Sequence, residues 1–242
     1  MQTRFVPLIF EMESVVRSAV SALRSRPPPR PGTACGVTAA VADPAAMLQT
    51  PVVLRLSRPP SQCDTAQILG HPIIFTEQYP KAFKHTVDEL KGFTTAGGGT
   101  APVFEKSQFS MITDDVRREM DGALAAGDGS APHAVLFGIE AHVCVQQTAL
   151  QLLEDGFVVH LVADAVSSQR AADRAAALQL LASQGALVTT TESVMLGLVG
   201  GAGHKQFKDV SKRLIQHNAA CYTEAGGAHW AKLESDGVTE RR

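Results

Sequence analysis

The chain has 242 residues, of which 45% are hydrophobic, with a formal net charge of −2 and four cysteines. That length suits one sizeable core, so a single domain over residues 1–242 is expected. The near-neutral charge and scattered basic residues give no electrostatic case for nucleic acid or an anionic membrane as partner. Cys35, Cys63, Cys144 and Cys221 lie far apart without a CxxC pair, which is neither a disulfide framework nor a zinc pattern and fits a reducing compartment. No run approaches the roughly 18 apolar residues of a membrane span, and Glu11 and Glu13 spoil a secretion signal. The cytosol is the default location, with mitochondria left open.

In chain order, Phe5 to Leu23 places Leu8, Ile9, Met12, Val15, Val16, Ala19, Val20 and Leu23 on one stripe, which predicts a helix. Arg24 to Thr65 is rich in Pro, Gly and small residues and reads as an insert of low order, with Pro51–Leu56 as its one candidate strand. Order returns with the end of a helix at Ala66–Gly70, closed by a glycine cap, and a buried strand at His71–Thr76. The stretch EQYPKAFKHTVDEL then reads as a loop and Gly92–Ala101 as a flexible one. Val103–Met111 is expected to be extended, with Phe104 and Phe109 packed inward. Thr113 is a candidate N-cap for a helix to Leu124 with Val116, Met120 and Leu124 on its buried stripe.

The informative stretch is Ala131–Leu150. AVLFG at Ala134–Gly138 reads as a strand buried on both faces. A helix then starts near Cys144, with Val145, Ala149, Leu152 and Leu153 inward and Gln146, Gln147, Gln151 and Glu154 on the other side. The turn between them is short, so Cys144 is placed at the mouth of a tight bend at a helix N-terminus. There, unpaired N–H groups and the helix dipole stabilise a thiolate and lower its pKa, and the same donors suit an oxyanion. An inert packing cysteine fits the position too, so position alone leaves both readings open.

Beyond it, Phe157–Ala163 is a strand, Gln169–Ser183 a helix, Ala186–Thr190 a last strand and Ser193–Val199 a short helix. His204–His217 is amphipathic through Phe207, Val210, Leu214 and Ile215. Strands alternating with helices predict a parallel sheet covered on both faces, with its site at the carboxyl ends of the strands, where Glu140–Cys144 falls.

The segment GIEAHVCVQQTALQLLEDGFVVHLVADAVSS resembles the nucleophile region of the isochorismatase-like cysteine hydrolases, and of the isochorismatase domain-containing proteins among them. The agreeing features are the G-x-E-x-x-V-C turn at Gly138–Cys144, D-G-F before the next strand and D-A-x-S-S at Asp164–Ser168. TEQYPK (Thr76–Lys81), EKSQFSM (Glu105–Met111) and HKQFK (His204–Lys208) are similar to other segments of that group.

The resemblance implies a three-layer α/β/α, Rossmann-like fold and an Asp-Lys-Cys triad. By position it implies Cys144 as nucleophile, Lys106 beside it, a cis peptide at Ile139-Glu140 and an oxyanion hole from the N–H groups of Glu140 and Cys144. Gln78, Tyr79 and Phe109 would line the pocket. A small-molecule substrate, a homo-oligomer and no cofactor are expected. Where zinc-dependent relatives have an Asp and two His, the sequence reads EQYPKAFKH, leaving His85 alone, so no metal is expected.

The chain departs from that pattern at its start. Relatives carry the aspartate at the end of their first strand, followed by M-Q, then an F and an apolar run; here Met1-Gln2 opens the chain. The sequence thus reads as cut just behind the catalytic acid, lacking the first strand and general base, with Arg24–Thr65 as a retained intron and Met1 as a wrong start. The expectation is a hydrolase of impaired activity. The alternative is a non-catalytic oligomerising or scaffold protein that keeps the fold.

Overall fold

A computed structural model describes residues 5–11, 60–124 and 131–221. Six parallel strands form one sheet in the order β3-β2-β1-β4-β5-β6. They are β1 (Phe5–Glu11), β2 (Ile74–Gln78), β3 (Val103–Lys106), β4 (His133–Ile139), β5 (Val158–Ser167) and β6 (Leu187–Thr189). The eight α-helices among the described residues are α1 (Pro60–Leu69), α2 (Pro80–Phe83), α3 (Asp88–Lys91), α4 (Asp114–Leu124), α5 (Gln146–Glu154), α6 (Ala171–Ser183), α7 (Thr191–Val199) and α8 (Phe207–Cys221).

The three layers follow from side-chain alternation along the strands. On one face Ile74, Ala134, Leu136, Val159 and Leu161 meet Val116 and Met120 of α4, Ala149 and Leu152 of α5, and Ala177, Leu178 and Leu181 of α6. On the other face Phe75, Val135, Phe137 and Val162 meet Cys63 and Ala66 of α1 and Val194 of α7. Helix α8 closes that side through Val210 and Leu214 against Met195 and Val199. The architecture is the α/β/α arrangement expected from the alternating pattern.

Two buried polar residues fasten the sheet's helices. Arg174 of α6 donates from Nε to the Val166 carbonyl at 3.0 Å and from Nη2 to the Ala163 carbonyl. Asp164 Oδ1 accepts from the Thr191 N–H at 2.8 Å and its hydroxyl at 3.1 Å, which anchors the start of α7 to β5.

The amino-terminal expectation is corrected. Phe5–Glu11 is not the opening of a helix but strand β1, lying between β2 and β4 in the centre of the sheet. The strand expected to be missing from the sheet is therefore present, built from these residues. Its apolar stripe is ambiguous because a short apolar run buried on both faces has no periodicity of its own, and the pairing of two neighbours decides. The remainder of the expected helix, Met12–Leu23, lies outside the described residues, as do 24–59 of the low-order insert and the candidate strand Pro51–Leu56. Pro60–Thr65, assigned to that insert, is the first half of α1.

Smaller corrections concern loops. EQYPKAFKHTVDEL contains α2 and α3, and Gly92–Ala101 holds a 3-10 turn at Thr95–Gly97 capped by Thr94. The extended stretch after β2 ends at Lys106. Phe109 is 51% exposed rather than packed inward, and Ile215 on α8 is also exposed.

Candidate active site

In a sheet with this strand order the direction of winding reverses between β1 and β4, which opens a crevice at their carboxyl ends. Gly138 near the end of β4 has φ 131, a conformation that favours glycine. The Ile139–Glu140 peptide bond that follows is cis. The chain then enters a π-helical turn at Ala141–Val145 before α5, so helical structure begins at Ala141, ahead of the expected start. Cys144 is the fourth residue of that turn.

Lys106 ends β3, which is separated from β4 by the two strands β2 and β1. Its ammonium lies 3.9 Å from Cys144 Sγ and donates to Gln78 Oε1 at 2.5 Å, to the Gln108 carbonyl at 3.0 Å and to the Phe109 carbonyl at 2.9 Å. The structure thus brings Cys144 and Lys106 together from segments 38 residues apart. Gln78 orients the lysine and also donates from Nε2 to the Ser107 carbonyl at 2.7 Å.

The loop after Lys106 is braced from α5. The Met111 N–H donates to Thr148 Oγ1 at 2.9 Å, and Ser110 Oγ meets Gln151 Oε1 at 2.7 Å. Gln151, expected on the solvent side of its helix, is thus a support for the lysine loop. Tyr79 stands beside this region at 53% exposure with a left-handed backbone, φ 38. Phe109 is exposed to a similar degree.

Two expectations about Cys144 are corrected. The sulfur does not stand at an open mouth, since the residue is 1% exposed. Nor is its thiol acidified: burial pushes it up, the Glu140 carboxylate adds to the rise, and the Lys106 charge with a hydrogen bond from the Glu140 backbone only partly offset this. Burial likewise pulls the Lys106 amine down, with the Cys144 charge opposing. Both members of the pair are therefore displaced toward their neutral forms. Helix-terminus reasoning missed this because a partial dipole charge is a smaller effect than removing a full charge from water.

Glu140 is 4% exposed. Its Oε2 accepts from the Gln169 N–H at 3.1 Å and lies 3.5 Å from His142 Nδ1, while Oε1 has no hydrogen-bond partner among the described residues. Burial pushes its carboxyl above the ordinary value, opposed by the Gln169 N–H and by His142. His142 in turn lies 3.0 Å from Ser168 Oγ through Nδ1 and 3.8 Å from Asp173 Oδ2 through Nε2. The carboxylate and this surrounding set were not singled out from the sequence; an acidic residue inside an apolar elbow was the available signal.

His85, the one histidine at the position where zinc-dependent relatives have two, lies 2.8 Å from the carboxylate of Glu77. Among the described residues no group of three or more His, Cys, Asp or Glu could hold a metal ion. At the end of β1 stands Glu11, level with Glu77 of β2 and one position short of the level of Gln78 and Lys106. No aspartate occupies β1.

The isochorismatase domain model matches residues 61–193, more than half of the chain. The chain is 48% identical over 145 residues to isochorismatase domain-containing protein 1 of Salmo salar, covering 60% of this chain and 48% of that protein. It is 40% identical over 151 residues to isochorismatase domain-containing protein 2 of Xenopus laevis, covering 62% and 68%. It therefore spans about half the length of the first of these relatives and somewhat more than two thirds of the second. Among solved structures, the MAR1 ribonuclease of Caenorhabditis elegans aligns with a TM-score of 0.63 at 31% identity, covering 88% of this chain and 91% of that one. An octameric hydrolase of unknown specificity, the YcaC product of Escherichia coli, aligns over 98% and 95% with a TM-score of 0.57 at 19% identity, a likeness of fold. A parallel α/β/α sheet, a cysteine elbow after its fourth strand and these matches lead to one statement: the chain belongs to the isochorismatase domain family.

Proposed function

We propose that the protein is an isochorismatase-like hydrolase in which Cys144 attacks a carbonyl or similar carbon of a small molecule. The observation that carries the reading is the 3.9 Å approach of Lys106 Nζ to Cys144 Sγ, both buried and drawn from separate segments. An ammonium held by three oxygens beside a sulfur stabilises the thiolate formed on attack. The Glu140 and Cys144 N–H groups receive the oxyanion, and water then releases the acyl group. Substrate enters past Tyr79 and Phe109, Gln78 keeps Lys106 in place, and the sulfur is reached when its cover shifts.

The activity is impaired. Family members place an aspartate after their first strand, whereas β1 here holds no aspartate and ends in Glu11. Losing a member of such a catalytic unit removes orders of magnitude in rate. Burial of Cys144 favours a second reading, a non-catalytic oligomer that retains the fold. No cofactor is required in either reading, and no step uses a metal.

p-Nitrophenyl acetate separates the two readings. The hydrolase reading expects release of p-nitrophenolate together with an acetyl group on Cys144 found by peptide mass spectrometry, both lost in Cys144→Ser. Absence of that adduct, or a burst that survives Cys144→Ser, overturns it.

A further inference from the structure

The charge of Lys106 serves Cys144 only as accurately as its ammonium is held. Two of the oxygens that hold it, the Gln108 carbonyl at 3.0 Å and the Phe109 carbonyl at 2.9 Å, belong to the loop that follows β3. Another, Gln78 Oε1, ends β2. The position of the charge therefore depends on the course of residues 107–112.

That loop is fastened to the helix that follows the cysteine turn. Thr148 and Gln151 of α5 stand four and seven residues after Cys144, a spacing that recurs on one side of a helix. All three meet the same short stretch of chain. Cys144 meets Lys106 at 3.9 Å, Thr148 Oγ1 accepts from the Met111 N–H at 2.9 Å, and Gln151 Oε1 accepts from the Ser110 hydroxyl at 2.7 Å. Thr148 and Met111 are fully buried, and Met111 belongs to the same apolar cluster as Cys144, Val145, Ala149 and Leu152. Inside the loop, Ser110 Oγ also accepts from the Ile112 N–H at 3.2 Å, and Gln108 Nε2 donates to the Ile112 carbonyl at 3.1 Å. A restraint applied at Ser110 or Met111 is thus passed on to Gln108 and Phe109.

We propose that Thr148 and Gln151 are positioning residues that set the approach of Lys106 to Cys144, by tying the loop that holds the ammonium to the helix that carries the cysteine turn. The proposal rests on Cys144 being the nucleophile. Removing the Thr148 hydroxyl takes its acceptor from a buried N–H, a loss large enough to move the loop. The carbonyls of Gln108 and Phe109 move with it, and the ammonium follows them. A misplacement of about 1 Å can cost about 100-fold in rate. Gln151 is the weaker restraint, because it and Ser110 are only partly buried and water can replace either partner. A tether of this kind differs from ordinary packing in one respect: its effect on the sulfur passes through the lysine.

The test is a double-substitution cycle in the full chain, read as the rate of Cys144 acetylation by p-nitrophenyl acetate. Thr148→Val removes the acceptor at nearly equal volume, and Thr148→Ser keeps the hydroxyl. With Lys106 present, Thr148→Val is expected to lower the rate about 5- to 50-fold, and Thr148→Ser to recover most of that loss. In the Lys106→Met background the same Thr148→Val change is expected to matter less than about twofold. The pH at which acetylation reaches half its maximum should also rise in Thr148→Val, since the charge that partly offsets burial of the thiol is displaced. An unchanged rate, an equal fall in both backgrounds or an unmoved pH profile overturns the proposal. Should Thr148→Val fail to fold by circular dichroism, Gln151→Leu takes its place in the cycle, with a fall of about 2- to 10-fold expected where Lys106 is present and the same outcomes overturning the proposal. Absence of acetyl on Cys144 in the unsubstituted chain overturns the nucleophile and this proposal together. Acetylation of Cys144 that is indifferent to these substitutions overturns this proposal alone.

Discussion

The ends of two strands in this sheet carry the same residue in nearly the same burial, with opposite consequences. Glu77 on β2 is 7% exposed and Glu140 just after β4 is 4% exposed. For both, burial is the largest influence and pushes the carboxyl up. Glu77 nevertheless ends below its ordinary value, because the Thr86 N–H and hydroxyl each reach Oε1 at 2.7 Å and His85 reaches Oε2 at 2.8 Å. Glu140 has one backbone donor and a more distant imidazole, and it stays raised. Burial alone therefore separates nothing. The number of donors decides whether a buried carboxylate is a structural clamp or a group able to exchange a proton.

The sharpest way to test the contrast lies in the cation that serves the second site. Lys106→Met removes the charge offsetting the buried thiolate and is expected to lower Cys144 acetylation by p-nitrophenyl acetate about 10- to 100-fold, roughly 1.4–2.7 kcal/mol, with the fold intact by circular dichroism. An unchanged rate would leave Lys106 a purely structural residue.

Next comes the clamp. Glu77→Gln loses a charged acceptor of three hydrogen bonds and should cost about 1–3 kcal/mol in urea unfolding. Because the folded Glu77 carboxyl lies below its ordinary 4.5, its contribution is complete above that pH and is lost as pH falls through the folded value. The substitution should therefore hurt most near neutrality and least in acid.

Glu140 has the reverse sign. Its folded carboxyl lies above the ordinary 4.5, so stability declines as pH rises from there through the raised value and the full penalty applies at neutral pH. Glu140→Gln should raise the neutral-pH unfolding midpoint, by less than Glu77→Gln lowers it, and the gain should vanish below pH 4.5. A stabilisation independent of pH would show that ionisation of Glu140 is not its source.

Much of this was legible in residues. AVLFG followed by a glycine-bounded elbow located β4 and Cys144, and the family resemblance paired that cysteine with Lys106, which the structure places 3.9 Å away. Thr113 was legible as a cap because its hydroxyl oxygen and the Val116 N–H that donates to it belong to one turn, 3.2 Å apart. Phe5–Glu11 was misread because its six-residue apolar run, Phe5–Phe10, satisfies helix and buried strand alike. Phe109 was misread because the extended stretch was carried past the end of β3 into a loop whose direction Lys106, Thr148 and Gln151 dictate.

By itself the sequence determined the alternation of strands and helices, the cysteine elbow and the absence of an aspartate from the opening segment, since these are properties of local pattern and identity. Only the tertiary structure decided that Phe5–Glu11 is the central strand, that Cys144 is buried with a raised thiol, and that Glu140 keeps an unpartnered oxygen. Pairing, desolvation and the count of hydrogen-bond donors depend on segments distant in the chain, and local pattern carries no record of them.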